Sequence, residues 1–338
     1  MDILLSPAPA GYADAASGAP VLPPLRVEYS DEPAAAALAR SDVLAVVSFG
    51  QTQLSQDPRL IRVALEPAGS SAPLEVWRGH GHAEHGASGA LRWSSDGDYS
   101  FVTLVLHERD FDGIAATAQQ AYAQLSAWCR GSATPHLLRL WNYLDAINLG
   151  DGDDERYRQF CSGRAAGMDA LTAGYPAASA IGVRDGRRVL QVCALAGRHP
   201  GAAVENPRQT SAWRYPRQYG PIAPGFARAM RAPSHSPQLY ISGTAAVVGH
   251  ASYHAGDVCA QVDETVANLQ SLCAAAGSTH PLGGARSVLK AYVRHAADAD
   301  LVRERLHARF GADTPLLVLL GDICRVELLV EIDGLHDA

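Results

Sequence analysis

The feature of this sequence that most constrains its fold is a succession of strands and helices that occurs twice. In the first copy, "SFVTLVLHE" (100–108) is rich in β-branched residues and predicts a strand. "GIAATAQQAYAQLSAWCRG" (113–131) has apolar residues near a 3.6-residue period and ends at a glycine, which predicts an amphipathic helix. A strand at 137–148, a second helix in "DDERYRQFCSGRAAGM" and two strands around the turn "RDGR" complete the copy.

The second copy keeps the same order of elements. It consists of a strand at 238–249, a long helix at 257–278, a strand at 283–295, a helix at 298–311 and a closing strand pair at 314–334. The duplication predicts an α+β fold of two tandem domains of one type.

Composition places the boundaries of these domains. We predict an N-terminal arm at 1–24, a first domain at 25–197, a linker at 198–237 and a second domain at 238–338. The arm is rich in Pro, Ala and Gly, and the first domain also contains predicted strands at 42–50 and 60–67. The linker is about forty residues long and rich in Pro, Arg and aromatic residues, and connections of that length are usually functional.

Charge, hydropathy and cysteine spacing argue against several classes of protein. A net charge of -7 gives no reason to expect nucleic acid or an anionic membrane as a partner. The sequence has no apolar run of about 18 residues and no signal-peptide pattern at its start. The six cysteines never form a C-x-x-C pair, which favours reduced thiols in the cytoplasm over disulfides or a metal site.

Several adjoining motifs resemble those of known families. In the second copy, "ISGTA", "NLQSLCAAAGS", "VLKAYVRHAADADLV" and "LLVEIDG" follow the order of the RidA/YjgF (chorismate mutase-like) family. Essentially the whole chain resembles the chorismatases, which contain two fused RidA-like halves. That resemblance is carried by "RLWNYLDAIN", "ERYRQFCSGR", "SAWRYPRQYGP", "PSHSPQLYISGTAAVVGH" and "CRVELLVEIDG". Imine deaminases of the RidA family have an arginine where this chain has Leu316, which weighs against deamination.

The resemblance implies that each domain is RidA-like, with a mixed β-sheet packed against two helices. It also implies a degenerate first domain, a catalytic second domain and a substrate-binding linker between them. The activity that it implies is removal of pyruvate from the small molecule chorismate, with no metal or redox cofactor. Subtypes of the family form 3-hydroxybenzoate, a mixture of 3- and 4-hydroxybenzoate, or a trans-dihydroxycyclohexadiene carboxylate. We favour 3-hydroxybenzoate, with 4-hydroxybenzoate as a second product, for secondary metabolism. The hydrolase that forms the diene diol, and a non-catalytic RidA-like protein that binds a small carboxylate, stay open as alternatives. A homotrimer and a monomer both stay open because two fused halves can mimic part of a trimer.

Two residues of the closing segment are the predicted catalytic groups. A general acid must stay protonated near neutral pH, which a carboxyl group achieves in an apolar site. Glu331 is flanked by apolar residues, and Glu327 is the alternative acid. The resemblance assigns the proton donor to the glutamate of "VEID", which is Glu331. Cys324 lies seven residues earlier, where chorismatases that form aromatic products have a cysteine.

The remaining predicted site residues bind the substrate. Chorismate carries two carboxylates, and the planar fork of arginine suits them. The predicted contacts are Arg217, Arg228 and Tyr215 of the linker, Arg164 of "CSGR", and Gly243 and Ala245 of the "SGTA" strand. In the family, the position aligned with Ala245 is linked to the product subtype.

Overall fold

The computed structural model describes residues 22–50, 55–69, 72–168, 174–234 and 238–338. Most of the predicted arm at 1–24, and residues 235–237 at the end of the predicted linker, lie outside the described residues. At the edge of the arm, Leu22 forms a parallel bridge with Ser234. This bridge places the end of the predicted arm beside the last described residue of the predicted linker.

The helices agree with the predicted pattern. The described residues contain α1 (Ala34–Leu38), α2 (Gly113–Gly131), α3 (Arg156–Gly167), α4 (Val258–Ala275) and α5 (Ala299–Phe310). The long helices α2 and α4 and the second helices α3 and α5 confirm the four predicted helices. Helix α4 begins after Asp257, whose side chain accepts a hydrogen bond from the amide of Ala260 at 3.0 Å. In the described part of the chain, no helix is long and apolar enough to cross a membrane.

The strands form three larger sheets and one small hairpin. Those of the first half are β1 (Arg26–Ser30), β2 (Val43–Phe49), β3 (Leu60–Val63), β4 (Glu66–Pro67), β5 (Leu74–Arg78), β6 (Glu84–Ser88), β7 (Leu91–Ser95), β8 (Tyr99–His107), β9 (His136–Asp145), β10 (Ala177–Val183) and β11 (Val189–Gly197). The rest are β12 (Ala202–Val204), β13 (Ala229–Arg231), β14 (Gln238–Ala245), β15 (Val247–Val248), β16 (Ala251–Ser252), β17 (Ser287–Val293), β18 (Leu316–Leu320), β19 (Asp322–Ile323) and β20 (Val330–Asp337).

Each copy of the repeat forms one mixed seven-stranded sheet. The first has the order β19-β10-β9-β11-β8-β7-β6, with β9 and β10 parallel, and α2 and α3 pack against it. The second has the order β12-β13-β14-β20-β17-β18-β4, with β17 and β18 parallel, and α4 and α5 pack against it. The prediction of an α+β fold with two such units is confirmed.

A four-stranded sheet of order β1-β5-β2-β3 is an addition that the repeat does not predict. Strands β2 and β3, which lie in the segments expected at 42–50 and 60–67, belong to this sheet and not to the first repeat unit. The end of the second segment forms β4, which belongs to the second seven-stranded sheet. Every residue of β2 is buried, because α1 covers one face of this sheet and the central core covers the other. The central core therefore lies among three sheets.

The two repeat units exchange short strands. Strand β19, from the second half, pairs with β10 of the first sheet, and β4, from the first half, pairs with β18 of the second. The closing strand pair predicted at 314–334 is accordingly wrong for 324–329, which form a turn. The carbonyls of Ile323, Arg325 and Leu328 accept hydrogen bonds from the side chain of Arg294, so this apolar-looking segment needs no neighbouring strand.

Candidate active site

A cavity of about 360 Å³ lies between the two repeat units. Its wall is built from the linker, β14, the 324–329 turn, β20 and the start of α3. The aromatic rings of Tyr157, Tyr215, Tyr219 and Phe226 supply apolar surface, and Arg228 and Arg325 supply positive charge. A largely apolar wall with a few charged groups is typical of a small-molecule site.

Glu331, the second residue of β20, forms part of this wall. It lies between Ala245 of β14 and Tyr292 of β17 in the sheet and is 4% exposed. Burial raises the pKa of the Glu331 carboxyl to about 8, and the nearby Asp333 charge acts in the same direction. The guanidinium groups of Arg139 and Arg228 oppose this shift. The carboxyl is therefore protonated at neutral pH and can act as a general acid.

The backbone of Gly243 leaves the space that Glu331 occupies. A Cβ atom on residue 243 would lie 1.8 Å from Oε1 of Glu331 and 3.1 Å from Oγ of Ser179. The pairing of β14 with β20 is irregular between Ile241 and Thr244, which brings this part of β14 out of register. Only glycine at 243 is compatible with the observed position of the carboxyl.

A second carboxylate, Asp333, lies two residues after Glu331 on the same strand. Its Oδ2 accepts hydrogen bonds from Arg139 at 2.8 Å, from Ser179 at 2.7 Å and from the Tyr292 hydroxyl at 3.0 Å. Behind it, Lys290 lies 3.8 Å from Oδ1 of Asp333 and donates to Glu75 at 2.7 Å. The two buried cations thus balance Glu75 and Asp333, and a third negative charge on Glu331 would be uncompensated within this cluster.

Arg228 reaches the cavity from the linker, immediately before β13. Its Nη2 donates to the Tyr215 hydroxyl at 2.7 Å and to the Thr210 carbonyl at 2.8 Å. Its Nε is buried and has no hydrogen-bond partner among the described residues. A buried donor without a partner is uncommon in a folded protein, and a bound anion is one way to satisfy it.

Arg325 is a second cation in the wall. Its guanidinium lies 4.0 Å from the ring centre of Tyr219 and 5.1 Å from that of Tyr215. Its Nη1 donates to the His250 carbonyl at 2.8 Å and to the Ser252 hydroxyl at 3.1 Å. Stacking on two rings fixes the plane of the guanidinium, which prepares it for a planar anion.

The chain is similar to proteins of a known family. A family model described as "Chorismatase FkbO/Hyg5-like, N-terminal" matches residues 75–196. A 3-hydroxybenzoate synthase of Streptomyces hygroscopicus is 34% identical over 277 residues, which cover 77% of this chain and 80% of the relative. A chorismatase of Streptomyces rapamycinicus is 35% identical over 274 residues, which cover 77% of this chain and 81% of the relative. The chain belongs to the chorismatase family.

The structure of the chorismatase described here is also similar to a solved one. A crystal structure of a chorismatase covers 94% of this chain and 98% of its own, with a TM-score of 0.80 at 30% identity. The likeness therefore extends over both repeat units and the linker between them. The predicted relationship to the chorismatase family is confirmed.

Six of the predicted site residues of this chorismatase meet in the cavity wall. They are Tyr215, Arg228, Gly243, Ala245, Cys324 and Glu331. They come from three separate parts of the sequence, which the sheet pairing of β14 with β20 and the course of the linker bring together. The alternative acid, Glu327, also reaches the cavity, but from the turn and not from the strand.

Two of the predicted substrate contacts, Arg217 and Arg164, are not among the residues that line the cavity. The Arg217 side chain is 64% exposed and pairs with Asp153 on the surface, while Tyr219 of the same short helix faces the cavity instead. Arg164 is buried on α3, where it donates to the Gly225 carbonyl at 2.7 Å and lies over the Tyr122 ring. Arg164 thus holds the linker next to Phe226, and Arg217 attaches the linker to the loop before α3.

Cys324 lies in the turn. Its side chain packs against the central core and against the apolar cluster between the first sheet and helices α2 and α3. Burial raises the pKa of the Cys324 thiol well above its usual range, and the neighbouring Glu331 carboxyl adds to this shift. The thiol is therefore neutral at physiological pH and is a small, weakly polar group, not a nucleophile.

Proposed function

We propose that this chorismatase removes pyruvate from chorismate by proton transfer from Glu331 and that 3-hydroxybenzoate is its main product. The observation that carries the proposal is the Glu331 carboxyl, which faces the cavity with a pKa of about 8. Two of the relatives are named for chorismate cleavage and 3-hydroxybenzoate synthesis, and they are aligned over 77% of this chain. The cavity size supports a small substrate of this kind.

We assign the two carboxylates of chorismate to Arg228 and Arg325. Each guanidinium lines the cavity, and Tyr215 contacts both of them. A substrate carboxylate bound to Arg228 would neutralise the positive charge that lowers the pKa of Glu331. Substrate binding would therefore favour the protonated form of the acid, which is the form that the reaction needs.

The proposed reaction begins when Glu331 donates its proton to the terminal methylene carbon of the enolpyruvyl group. The resulting oxocarbenium ion makes pyruvate a good leaving group. The neighbouring ring hydroxyl attacks the ring carbon that carries the ether oxygen, the bond between that carbon and the oxygen breaks, and its electrons form the pyruvate carbonyl. The hydroxyl proton returns to Glu331, and the ring epoxide then opens and loses a ring hydrogen to give the hydroxybenzoate. No water is consumed on this route.

Water attack on the same cation is the competing route and gives the diene diol with pyruvate. We propose that Cys324 favours the intramolecular route, because its thiol fills space in the cavity wall that an attacking water would otherwise occupy. The small Ala245, paired with Glu331 across the sheet, leaves room for the ring beside the acid.

We retain the domain boundaries at 25–197 and 238–338 as part of this proposal. We also retain a cytoplasmic location, which six free cysteines support.

Incubation of the purified protein with chorismate tests this function. When the mixture is separated by chromatography, we expect 3-hydroxybenzoate as the main product and 4-hydroxybenzoate as a minor one. The amount of pyruvate should equal the sum of the two hydroxybenzoates. The absence of pyruvate would exclude the enzymatic function and favour a binding protein. A diene diol as the main product would instead identify the hydrolase alternative.

Replacement of Cys324 by alanine tests the choice between the two routes. We expect Cys324→Ala to keep pyruvate release and to shift the product from hydroxybenzoate towards the diene diol, because the space left by the thiol admits water. Cys161→Ala is the matched control, since Cys161 is a buried cysteine of α3 that does not line the cavity. An unchanged product ratio in Cys324→Ala would remove Cys324 from the product-determining step.

A further inference from the structure

The 324–329 turn carries cavity residues although it has no strand partner. Cys324, Arg325 and Leu328 all line the cavity, and the turn leads directly into β20 and Glu331. Val326 at its tip is 68% exposed, so the turn is not held from the solvent side. Its position must therefore depend on contacts from the protein interior.

Arg294, the residue after β17, supplies most of these contacts. Its Nε donates to the Leu328 carbonyl at 2.9 Å, and its Nη2 donates to the carbonyls of Ile323 and Arg325 at 3.0 Å. Its Nη1 donates to Asp322 at 2.7 Å and to Asn148 at 3.2 Å. One buried guanidinium thus satisfies three main-chain carbonyls around the turn and is itself held by a carboxylate.

Gln261 of α4 holds the other side of the turn. Its Nε2 donates to the Glu327 carbonyl at 2.9 Å, and its Oε1 accepts a hydrogen bond from the Leu329 amide at 2.7 Å. The amide of Arg294 also donates to the Leu329 carbonyl at 3.0 Å. The turn is consequently fixed at both ends by side chains that do not line the cavity.

We propose that Arg294, with Gln261, is a positioning residue that fixes Cys324 and Arg325 in the cavity wall and thereby sets the product ratio and the binding of the substrate carboxylate. This inference rests on the proposed function, in which Cys324 selects the route and Arg325 binds chorismate. The planar guanidinium reaches three carbonyls at once, and the single ammonium of a lysine cannot reproduce that geometry. A shift of the turn by a fraction of an ångström would displace Cys324 and Arg325 from their positions against the substrate.

Arg294→Lys, with Arg184→Lys as its matched control, tests the proposal. Arg184 donates to the same Asp322 carboxylate and to the main-chain carbonyl of Arg294 at 2.7 Å, but it bonds none of the carbonyls of Ile323, Arg325 or Leu328. In Arg294→Lys we expect faster hydrogen exchange of the 323–329 amides, a rise in KM for chorismate and a larger fraction of diene diol, with kcat lowered about 10- to 100-fold. In Arg184→Lys we expect none of these changes.

The product ratio separates positioning from a loss of folded protein. Unfolded molecules form no product, so a destabilised but otherwise intact enzyme would keep the wild-type ratio and KM. Unchanged exchange, KM and product ratio in a folded Arg294→Lys would overturn the proposal. If Arg294→Lys does not fold, Gln261→Met provides the test. It removes the bonds to Glu327 and Leu329, together with one bond to the His254 carbonyl, and leaves the contacts of Arg294 in place. Wild-type exchange, KM and product ratio in that variant would equally overturn it.

Comparison with Cys324→Ala distinguishes this inference from the proposed function. If wild-type protein releases no pyruvate, the proposed function fails, and accelerated exchange in Arg294→Lys still shows whether Arg294 holds the turn. If Cys324→Ala keeps the wild-type product ratio but Arg294→Lys does not, Arg294 acts through Arg325 and not through Cys324. Its positioning role is then supported while the role of Cys324 is withdrawn.

Discussion

Glu331→Gln is expected to lower kcat for pyruvate release by about 10²- to 10⁴-fold, which is the usual contribution of a general acid. The glutamine amide has nearly the same shape as the protonated carboxyl, so the contacts with Gly243 and the neighbouring strands are kept. The amide is, however, far too weak an acid to protonate a carbon. Steady-state measurement of pyruvate release gives kcat, and calorimetric titration with chorismate shows whether binding is retained.

Glu327→Gln is the matched control for this substitution. Glu327 reaches the same cavity from the turn, and its side chain is not enclosed by β14 and β17. We expect kcat of this variant to stay within a few-fold of the wild type. Full activity of Glu331→Gln, or a large loss confined to Glu327→Gln, would transfer the role of proton donor to Glu327.

The same assignment fixes the sign of the pH dependence. The active form of Glu331 is protonated, and its pKa is about 8 because of burial and the Asp333 charge. The value of kcat/KM is therefore expected to fall as the pH rises through about 8, and the fall should be absent in Glu331→Gln.

Asp333→Asn is expected to lower the free energy of unfolding by about 3–5 kcal/mol, as for other broken buried ion pairs. Asp333 is fully buried and accepts three hydrogen bonds on one oxygen. Its loss leaves Arg139 and Lys290 with Glu75 as the single anion of this buried cluster. Urea denaturation followed by circular dichroism measures the change.

Asp263→Asn is the control, because Asp263 pairs with Arg305 and Arg309 at the surface. Partly exposed pairs of this type contribute about 0–1 kcal/mol. An equal loss of stability in the two variants would show that burial of Asp333 is not the cause. Removal of the Asp333 charge also lowers the pKa of Glu331, so the alkaline fall in kcat/KM should move to lower pH in Asp333→Asn.

The fold was largely predictable because its elements follow regular periods. The helices α2 and α4 have apolar residues at helical spacing, and β14, β17 and β20 occur where the repeat predicts strands. The four-stranded sheet was not predictable as a separate layer. Its strands have the same apolar pattern as any buried strand. That pattern identifies a strand but does not tell with which distant strand it pairs.

The candidate site was predictable where a motif carried it. "VEID" and "SGTA" contain Glu331, Gly243 and Ala245, all of which reach the cavity. The position of Arg217 outside the cavity lining was not predictable, because an arginine in a linker has no period that tells which way its side chain points. Asp333 could have been predicted as a neighbour of Glu331, since residues two apart on a strand share a face. Its partner Arg139 could not have been predicted, because that ion pair joins residues 194 positions apart.

The exchange of β4 and β19 between the two sheets has a consequence for how the molecule is made. The first sheet is completed only when residues 322–323 arrive, and the last strand of the second sheet comes from residues 66–67. The cavity wall likewise needs residue 155 and residue 331 together. Contacts so distant in sequence form late, since closing long loops costs chain entropy before any contact is gained. During synthesis, a ribosome must release nearly the whole polypeptide before an active centre can exist.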